Sequence, residues 1–279
     1  MPDWRPLIVR REDGFPRIMG VLNITPDSFF EDSRSNNISE TIKIAESMIQ
    51  NGADWLDIGG ESTRPGANPV KEEEEISRVI PVIRELRKRF PKVGISVDTR
   101  RAKVAALSLE EGADMINDVS ALSDQNMINV VKQSDCCICL MHMKGLPENM
   151  QNNPQYDDVV MEVRRKLNEK VSLLLEEGIN QERIIVDPGI GFGKSLEHNL
   201  LLLKSGREII PLSNIKLMWG VSRKSMFSEL LGRIEARDRL AGTLGIAAMS
   251  KLKAVDIIRV HDVAEHADLF RAMSSLEDL

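Results

Sequence analysis

Short apolar runs alternate with helix-period segments eight times along this 279-residue chain, and few architectures accept such a repeat. The strand candidates are RIMGVLNI from Arg17, WLDIGGES from Trp55, GISVDT from Gly94, MINDVS from Met115, CCICLMHM from Cys136, IIVDPGI from Ile184, KLMWGVS from Lys216 and IIRVHD from Ile257. Each precedes a helix candidate; the clearest are SETIKIAESMIQNG, EEISRVIPVIRELRKRF, AKVAALSLEEG, DVVMEVRRKLNEKVSLLLEEG and LAGTLGIAAMSKLKA. Gly52, Gly112 and Gly178 close three of these helices shortly before the next run, as left-handed caps do. Runs that are apolar throughout, such as Cys136 to Met141, suit parallel strands covered by helices on the outside. The expectation is a single (β/α)₈ TIM barrel, one α/β domain spanning residues 1–279, preceded by a short hairpin-like segment around Glu12-Asp13-Gly14. An open doubly wound sheet is the competing fold, but it usually carries a phosphate-binding glycine fingerprint after its first strand, and none follows Ile24.

Composition excludes several classes of partner. Hydrophobic residues make up 42% and charged residues 29%, enough apolar surface for a sizeable core. A formal net charge of −6 and a pI near 5.4 argue against nucleic acid and anionic membranes, which need a basic surface. No run approaches the roughly 18 apolar residues of a membrane span, and MPDWRPLIVRRED lacks a secretory apolar core. Cys136, Cys137 and Cys139 are too close together for a disulfide framework and lack metal-ligand spacing, which fits buried thiols in a reducing cytoplasm.

Polar residues able to do chemistry stand at or just past the carboxyl end of nearly every strand candidate. They are Asn23, Glu61 to Arg64, Asp98, Asn117 and Asp118, His142, Asp187, Ser222 to Ser225, and Arg259 with His261. A closed barrel brings these ends to one face, where enzymes of this fold keep their active sites. Singly, such residues often cap helices; as a set they point to a site. Asp98 and Asp187 are carboxylates in apolar strands and need donors around them, which a guanidine-like ring would supply in parallel pairs. Asn117 donates and accepts at once and suits a heterocycle edge. Arg223, Lys224, Arg259, His261 and Arg64 form a cationic set suited to a multiply charged anion. A planar heterocycle carrying a diphosphate satisfies both groups.

Eight motifs in order resemble the dihydropteroate synthases, over essentially the whole chain. They are GVLNITPDSF, DIGGESTRPGA, SVDT, INDVS, LMHMKGLPENMQ, VDPGIGFGKSLEHN, GVSRKSM and IIRVHDV. The resemblance implies condensation of 6-hydroxymethyl-7,8-dihydropterin diphosphate with p-aminobenzoate, giving 7,8-dihydropteroate and pyrophosphate in folate biosynthesis. It implies a pterin pocket of Asp98, Asn117, Asp187, Lys224 and Arg259, of which Asp98, Lys224 and Arg259 act in the reaction itself. It assigns the diphosphate to Asn23, Thr63, Arg64, Arg259 and His261, with Mg²⁺ as cofactor at Asn23. It sets p-aminobenzoate against Phe29, Thr63, Pro65, Phe192, Lys224 and Ser225, a wall that sulfonamide inhibitors would share, and it implies a cytoplasmic homodimer.

One departure stands out. Where the family's first loop continues with Asp-Gly-Gly, this chain reads Phe29-Phe30-Glu31-Asp32-Ser33-Arg34-Ser35, losing the backbone freedom that a closing loop uses. Slower closure is expected. Two other functions stay open: a folate-dependent corrinoid methyltransferase domain, against which Thr63, Arg64, His261 and the SRKS run argue, and a non-catalytic pterin-binding paralogue.

Overall fold

The computed structural model describes residues 3–24, 34–62, 69–145, 149–210 and 212–277. Eight parallel strands close into a barrel in sequence order, so the open doubly wound sheet is excluded. The strands are β1 (Arg17–Asn23), β2 (Trp55–Gly59), β3 (Gly94–Asp98), β4 (Met115–Asp118), β5 (Cys137–Met141), β6 (Ile184–Asp187), β7 (Lys216–Trp219) and β8 (Ile257–Val260). Helices α1 (Arg34–Gln50), α2 (Glu72–Arg89), α3 (Ala102–Glu110), α4 (Asn126–Lys132), α5 (Val159–Glu176) and α6 (Leu196–Ser205) each follow one strand. Two helices, α7 (Met226–Leu231) and α8 (Leu240–Ala248), lie between β7 and β8, and α9 (Val263–Glu277) follows β8. The register Met19↔Arg259 between β1 and β8 completes the ring. Gly52, Gly112 and Gly178 take φ of +102°, +104° and +83° just past α1, α3 and α5, the left-handed turns expected of them.

Alternation along each strand divides the core in two. Leu56, Ile58, Ile95, Val97, Ile116, Ile138, Val186, Leu217 and Ile258 face outward and pack against the helices. Met19, Trp55, Met115, Cys137, Cys139, Ile185, Met218 and Ile257 face inward and fill the barrel axis. All three cysteines are free and buried. Among its described residues the amino-terminal segment carries no strand pair: a 3₁₀ turn at Arg5–Ile8 is followed by a reversal in which the Arg11 N–H donates to Phe15 O at 2.9 Å. That segment seals the amino-terminal end of the barrel. Ile8 joins the inward cluster with Trp4 and Leu7 against it, and the Trp55 indole N–H donates to Leu7 O at 2.8 Å.

Inward parity dictates what lies above this plug. Counting two residues on from each inward apolar position reaches Asp57 and Gly59 on β2, Asp98 beyond Ser96 on β3, Asn117 on β4, Asp187 on β6 and Arg259 on β8. The apolar layers below therefore set the height of a polar layer at the carboxyl ends. Trp55 is fully buried and lies over Gly94, where a Cβ would come 2.4 Å from the indole Cδ2. Gly94→Ala should therefore displace the indole and destabilise the protein by roughly 1–3 kcal/mol, as overpacking does. Urea unfolding should show a lower midpoint with unchanged slope; an unchanged midpoint would refute this account of the barrel axis.

Candidate active site

A mostly buried guanidinium organises the mouth of the barrel. Arg259 Nε donates to Asp57 Oδ2 at 2.6 Å, and its Nη2 donates to Asp98 Oδ2 at 2.8 Å. Asn117 Nδ2 donates to the same Asp57 oxygen at 3.2 Å. Burial works against the charge on Arg259, but Asp57 and Asp98 outweigh it and hold the guanidinium firmly protonated. Burial pushes the Asp98 carboxyl up to about 7; Arg259 opposes this, while Asp57 and Glu75 add to it. Asp187 is also raised by burial, against the Gly189 N–H, which donates to its Oδ1 at 2.7 Å, and against the charges of Lys224 and Arg259. Asp98, Asn117, Asp187 and Arg259, expected to share a pocket, are thus brought together with Lys224 beside them.

Beside the polar layer lies an apolar patch of Val119, Met141, Met150 and Phe192, with Met143 packed on it. Lys224 Nζ sits 4.0 Å from the centroid of the Phe192 ring, a cation–π contact that aims the lysine across this patch. The loop after β6 that carries Phe192 is held by its own glycines. Gly189 at φ +67° packs so closely that a Cβ would meet His142 O at 1.8 Å. The Gly191 N–H donates to Asn199 Oδ1 at 2.8 Å, and the Tyr156 hydroxyl donates to Gly193 O at 2.9 Å.

The remaining candidates divide clearly. Asn23 is exposed at the end of β1, with its Oδ1 beside Gly59, 3.5 Å from where a Cβ there would stand. His261 lies past β8 with its N–H donating to Ser222 Oγ at 3.1 Å, while its Nδ1 is 3.0 Å from that oxygen. Ser225 is exposed just ahead of α7. Arg223 leaves the cationic set: it takes φ +56° and turns away from the mouth into a paired contact with Asp262, its Nε donating to Oδ2 at 2.9 Å. Glu61 pairs with Arg100 and Arg101 and accepts the Val70 N–H at 3.0 Å, which makes it an anchor for the chain after β2. His142 is buried, and burial with the nearby Lys194 charge pushes it down to about 3. Phe29, Thr63, Arg64 and Pro65, with the altered first loop up to Ser33, lie outside the described residues.

Two residues of this site were missed by the sequence reading. Asp57 is fully buried and holds both Arg259 and Asn117, although only its inward parity marks it. Lys194 is buried beneath the β6 loop, and nothing in a GFGKS run signals burial of a lysine. A cavity of about 370 Å³ lined by Asp3, Trp4, Leu109, Ala113, Asp114 and Cys136 lies at the opposite end of the barrel, away from these groups. Among the described residues no cluster of three or more His, Cys, Asp or Glu side chains could hold a metal, and no helix is long and apolar enough to cross a membrane.

The model of the family described as "Pterin binding enzyme" matches residues 19–261. Dihydropteroate synthase of Escherichia coli K12 is 43% identical over 260 residues, covering 93% of this chain and 91% of that protein. The Neisseria meningitidis serogroup C dihydropteroate synthase is 45% identical over 264 residues, covering 94% and 93%. The crystal structure of the Yersinia pestis dihydropteroate synthase in a sulfonamide drug complex superposes with a TM-score of 0.88 at 38% identity, covering 96% and 97%. A pterin-binding barrel is therefore the class that fold and site define. The chain belongs to the dihydropteroate synthases of that family, transferases that condense 6-hydroxymethyl-7,8-dihydropterin diphosphate with p-aminobenzoate in folate biosynthesis. The corrinoid methyltransferase and paralogue readings lose their ground.

The raised Asp98 carboxyl makes a stability prediction. Its folded value of about 7 exceeds the ordinary 3.8, so between roughly pH 4 and pH 7 the folded protein keeps a proton that the unfolded chain has released. This contribution is present at low pH and lost as pH rises through about 7. In Asp98→Asn the titration is gone. The melting temperature of the variant minus that of the parent should therefore grow between about pH 5 and about pH 8. A difference independent of pH would show that Asp98 is not raised.

Proposed function

We propose that the polar layer at the barrel mouth binds the pterin through Asp98, Asn117, Asp187 and Lys224, with Arg259 against the ring and Asp57 holding Arg259 and Asn117 in place. One observation carries this reading: Arg259 is fixed between Asp57 and Asp98 in the layer that also holds Asn117 and Asp187, so donors and acceptors are gathered at one place on the mouth. The diphosphate falls to Asn23, Thr63, Arg64, Arg259 and His261. The p-aminobenzoate lies over the Lys224 stem, walled by Phe29, Thr63, Pro65, Phe192 and Ser225, and a sulfonamide of the kind bound by the Yersinia pestis enzyme takes the same wall.

In the reaction the C–O bond at the pterin methylene breaks, pyrophosphate leaves, and the aromatic amine forms the new C–N bond and releases a proton. Positive charge grows on the pterin as the bond opens, and ionised Asp98 with Asp187 favours it. Arg259 and His261 face the leaving anion, and Lys224 on the Phe192 ring lies between the two substrates. The amine is already nucleophilic, so the site needs no strong base and forms no covalent bond to the chain. Mg²⁺ takes hard oxygen donors and commonly keeps waters and substrate phosphates around it, with few protein ligands. The exposed Asn23 amide oxygen suits such an ion, which would neutralise charge on the diphosphate.

We further take residues 1–279 as one domain, working in the cytoplasm as a homodimer. The dimer rests on an apolar surface: in α8 only Thr243 and Ala247 are buried, and Leu230, Leu231, Ile234, Met249 and Leu252 around it are exposed, Ile234 by 77% and Leu252 by 74%. Sedimentation should give a dimer in the parent and a monomer in Ile234→Glu/Leu252→Glu; a monomeric parent would end this assignment.

The activity is tested by pyrophosphate release, which should require p-aminobenzoate. Asp187→Asn loses a charge-assisted acceptor and should weaken pterin binding by roughly 1.5–3 kcal/mol. Calorimetry with a pterin ligand checks this, and unchanged affinity would remove Asp187 from the pocket.

A further inference from the structure

Lys194, in the loop between β6 and α6, is buried. Its Nζ donates to Gly189 O and Phe192 O, each at 2.9 Å, and to His142 O at 3.3 Å, and it lies 3.0 Å from His142 Nδ1. Three backbone carbonyls converging out of water repel one another unless a donor stands between them, and an ammonium carries three donors. His142 is pushed down to about 3 and so is neutral at neutral pH. Its Nδ1 is a fourth polar atom beside an ammonium whose three donors the carbonyls already take.

The carbonyls come from two loops that touch backbone to backbone. A Cβ at Gly189 would meet His142 O at 1.8 Å, and one at Gly193 would meet Lys144 O at 2.1 Å. The His142 N–H also donates to Asp187 O at 2.9 Å. From this junction two short paths reach the substrate groups. The Gly189 N–H donates to the Asp187 carboxylate at 2.7 Å, while Phe192 carries Lys224 on its ring and a Gly191 Cβ would lie 3.4 Å from Lys224 Cδ.

We propose that Lys194 is a positioning residue for the condensation: it locks the β5 and β6 loops together, setting Asp187 for the pterin and the Phe192–Lys224 stack for p-aminobenzoate. Burial pushes the Lys194 ammonium down to about 7, with Asp187 opposing and Lys224 and Lys144 reinforcing the shift. The proposal rests on the assignment of Asp187 to the pterin and of Phe192 and Lys224 to the aminobenzoate. Asp187→Asn and Phe192→Ala test that assignment by themselves.

The experiment measures steady-state kinetics of Lys194→Met, which keeps the length and apolar stem but removes every donor. Lys194→Gln, which keeps two N–H donors, is measured beside it in case Met leaves the loops unfolded. Circular dichroism and melting temperature establish the folded fraction. Folded Lys194→Met should raise KM for both substrates on the order of tenfold and lower kcat less, as misplacement of binding groups does, with Lys194→Gln between it and the parent. In a Phe192→Ala background the p-aminobenzoate part of that rise should shrink to under about twofold, because the ring being positioned is gone, whereas the pterin part persists. A residue that only stabilises the fold would lower the melting temperature and leave both KM values alone. That result in either folded variant, or an undiminished p-aminobenzoate effect without the Phe192 ring, overturns the proposal.

Discussion

Everything at the barrel mouth depends on one mostly buried cation between two carboxylates. Removing a guanidinium from water is expensive unless its donors are met, and leaving either partner unpaired would cost more than the pair contributes. Arg259 answers this with Asp57 and Asp98, which lie 202 and 161 residues away in sequence. Only a closed barrel brings β2, β3 and β8 to one point, since β1 separates β8 from β2 around the ring. Closure of the fold and assembly of the polar layer are thus the same event. The arrangement also explains why the carboxylates differ: Asp57 meets Arg259 and Asn117 deep in the layer, whereas Asp98, nearer the mouth, is left close to neutral pH by burial and by the neighbouring negative charges.

Below that layer, packing does the positioning. The amino-terminal 3₁₀ turn, Trp55 over Gly94, and the methionines and cysteines on the axis fix the height at which the polar side chains emerge. A large side chain facing a glycine is how neighbouring strands share one narrow axis. Because strands alternate inward and outward, a shift of one residue in any strand would send its polar member out under a helix. The inward apolar residues of each strand are therefore as necessary to the site as the charged residues above them.

This periodicity is also why so much could be read from the chain alone. Period-two runs followed by helix-period segments revealed the eight strands, and polar residues at their ends revealed the face that carries the site. What escaped reading were features with no periodic signal. Asp57 looks like any acid in WLDIGG until its parity with Trp55 is noticed, and Lys194 looks like a solvated lysine because its burial comes from loop carbonyls more than forty positions apart in the chain, His142 and Gly189 among them. Arg223 misled for the opposite reason: its place in SRKS suggested the anion site, but a left-handed backbone turn directs it to Asp262. The reversal at Arg11–Phe15 was legible from Asp13-Gly14, yet the segment's use as a plug was not, because that follows from a tertiary contact with Trp55.

Glycines also keep side chains away from two of the carboxylates at the mouth. In a barrel of eight strands, side chains from successive inward positions normally fill the axis. At the top, the inward places after Asp57 on β2 and after Met218 on β7 are Gly59 and Gly220. A Cβ at Gly59 would lie 3.7 Å from Asp98 Cβ, and one at Gly220 would lie 3.3 Å from Asp187 Oδ2. Any longer side chain there would stand on the carboxylates that flank the space. At that level β2 and β7 contribute backbone alone, so no side chain from either stands beside Asp98 or Asp187. The polar groups at the mouth thus come from β2, β3, β4, β6 and β8, while the glycines next along β2 and β7 keep side chains off Asp98 and Asp187.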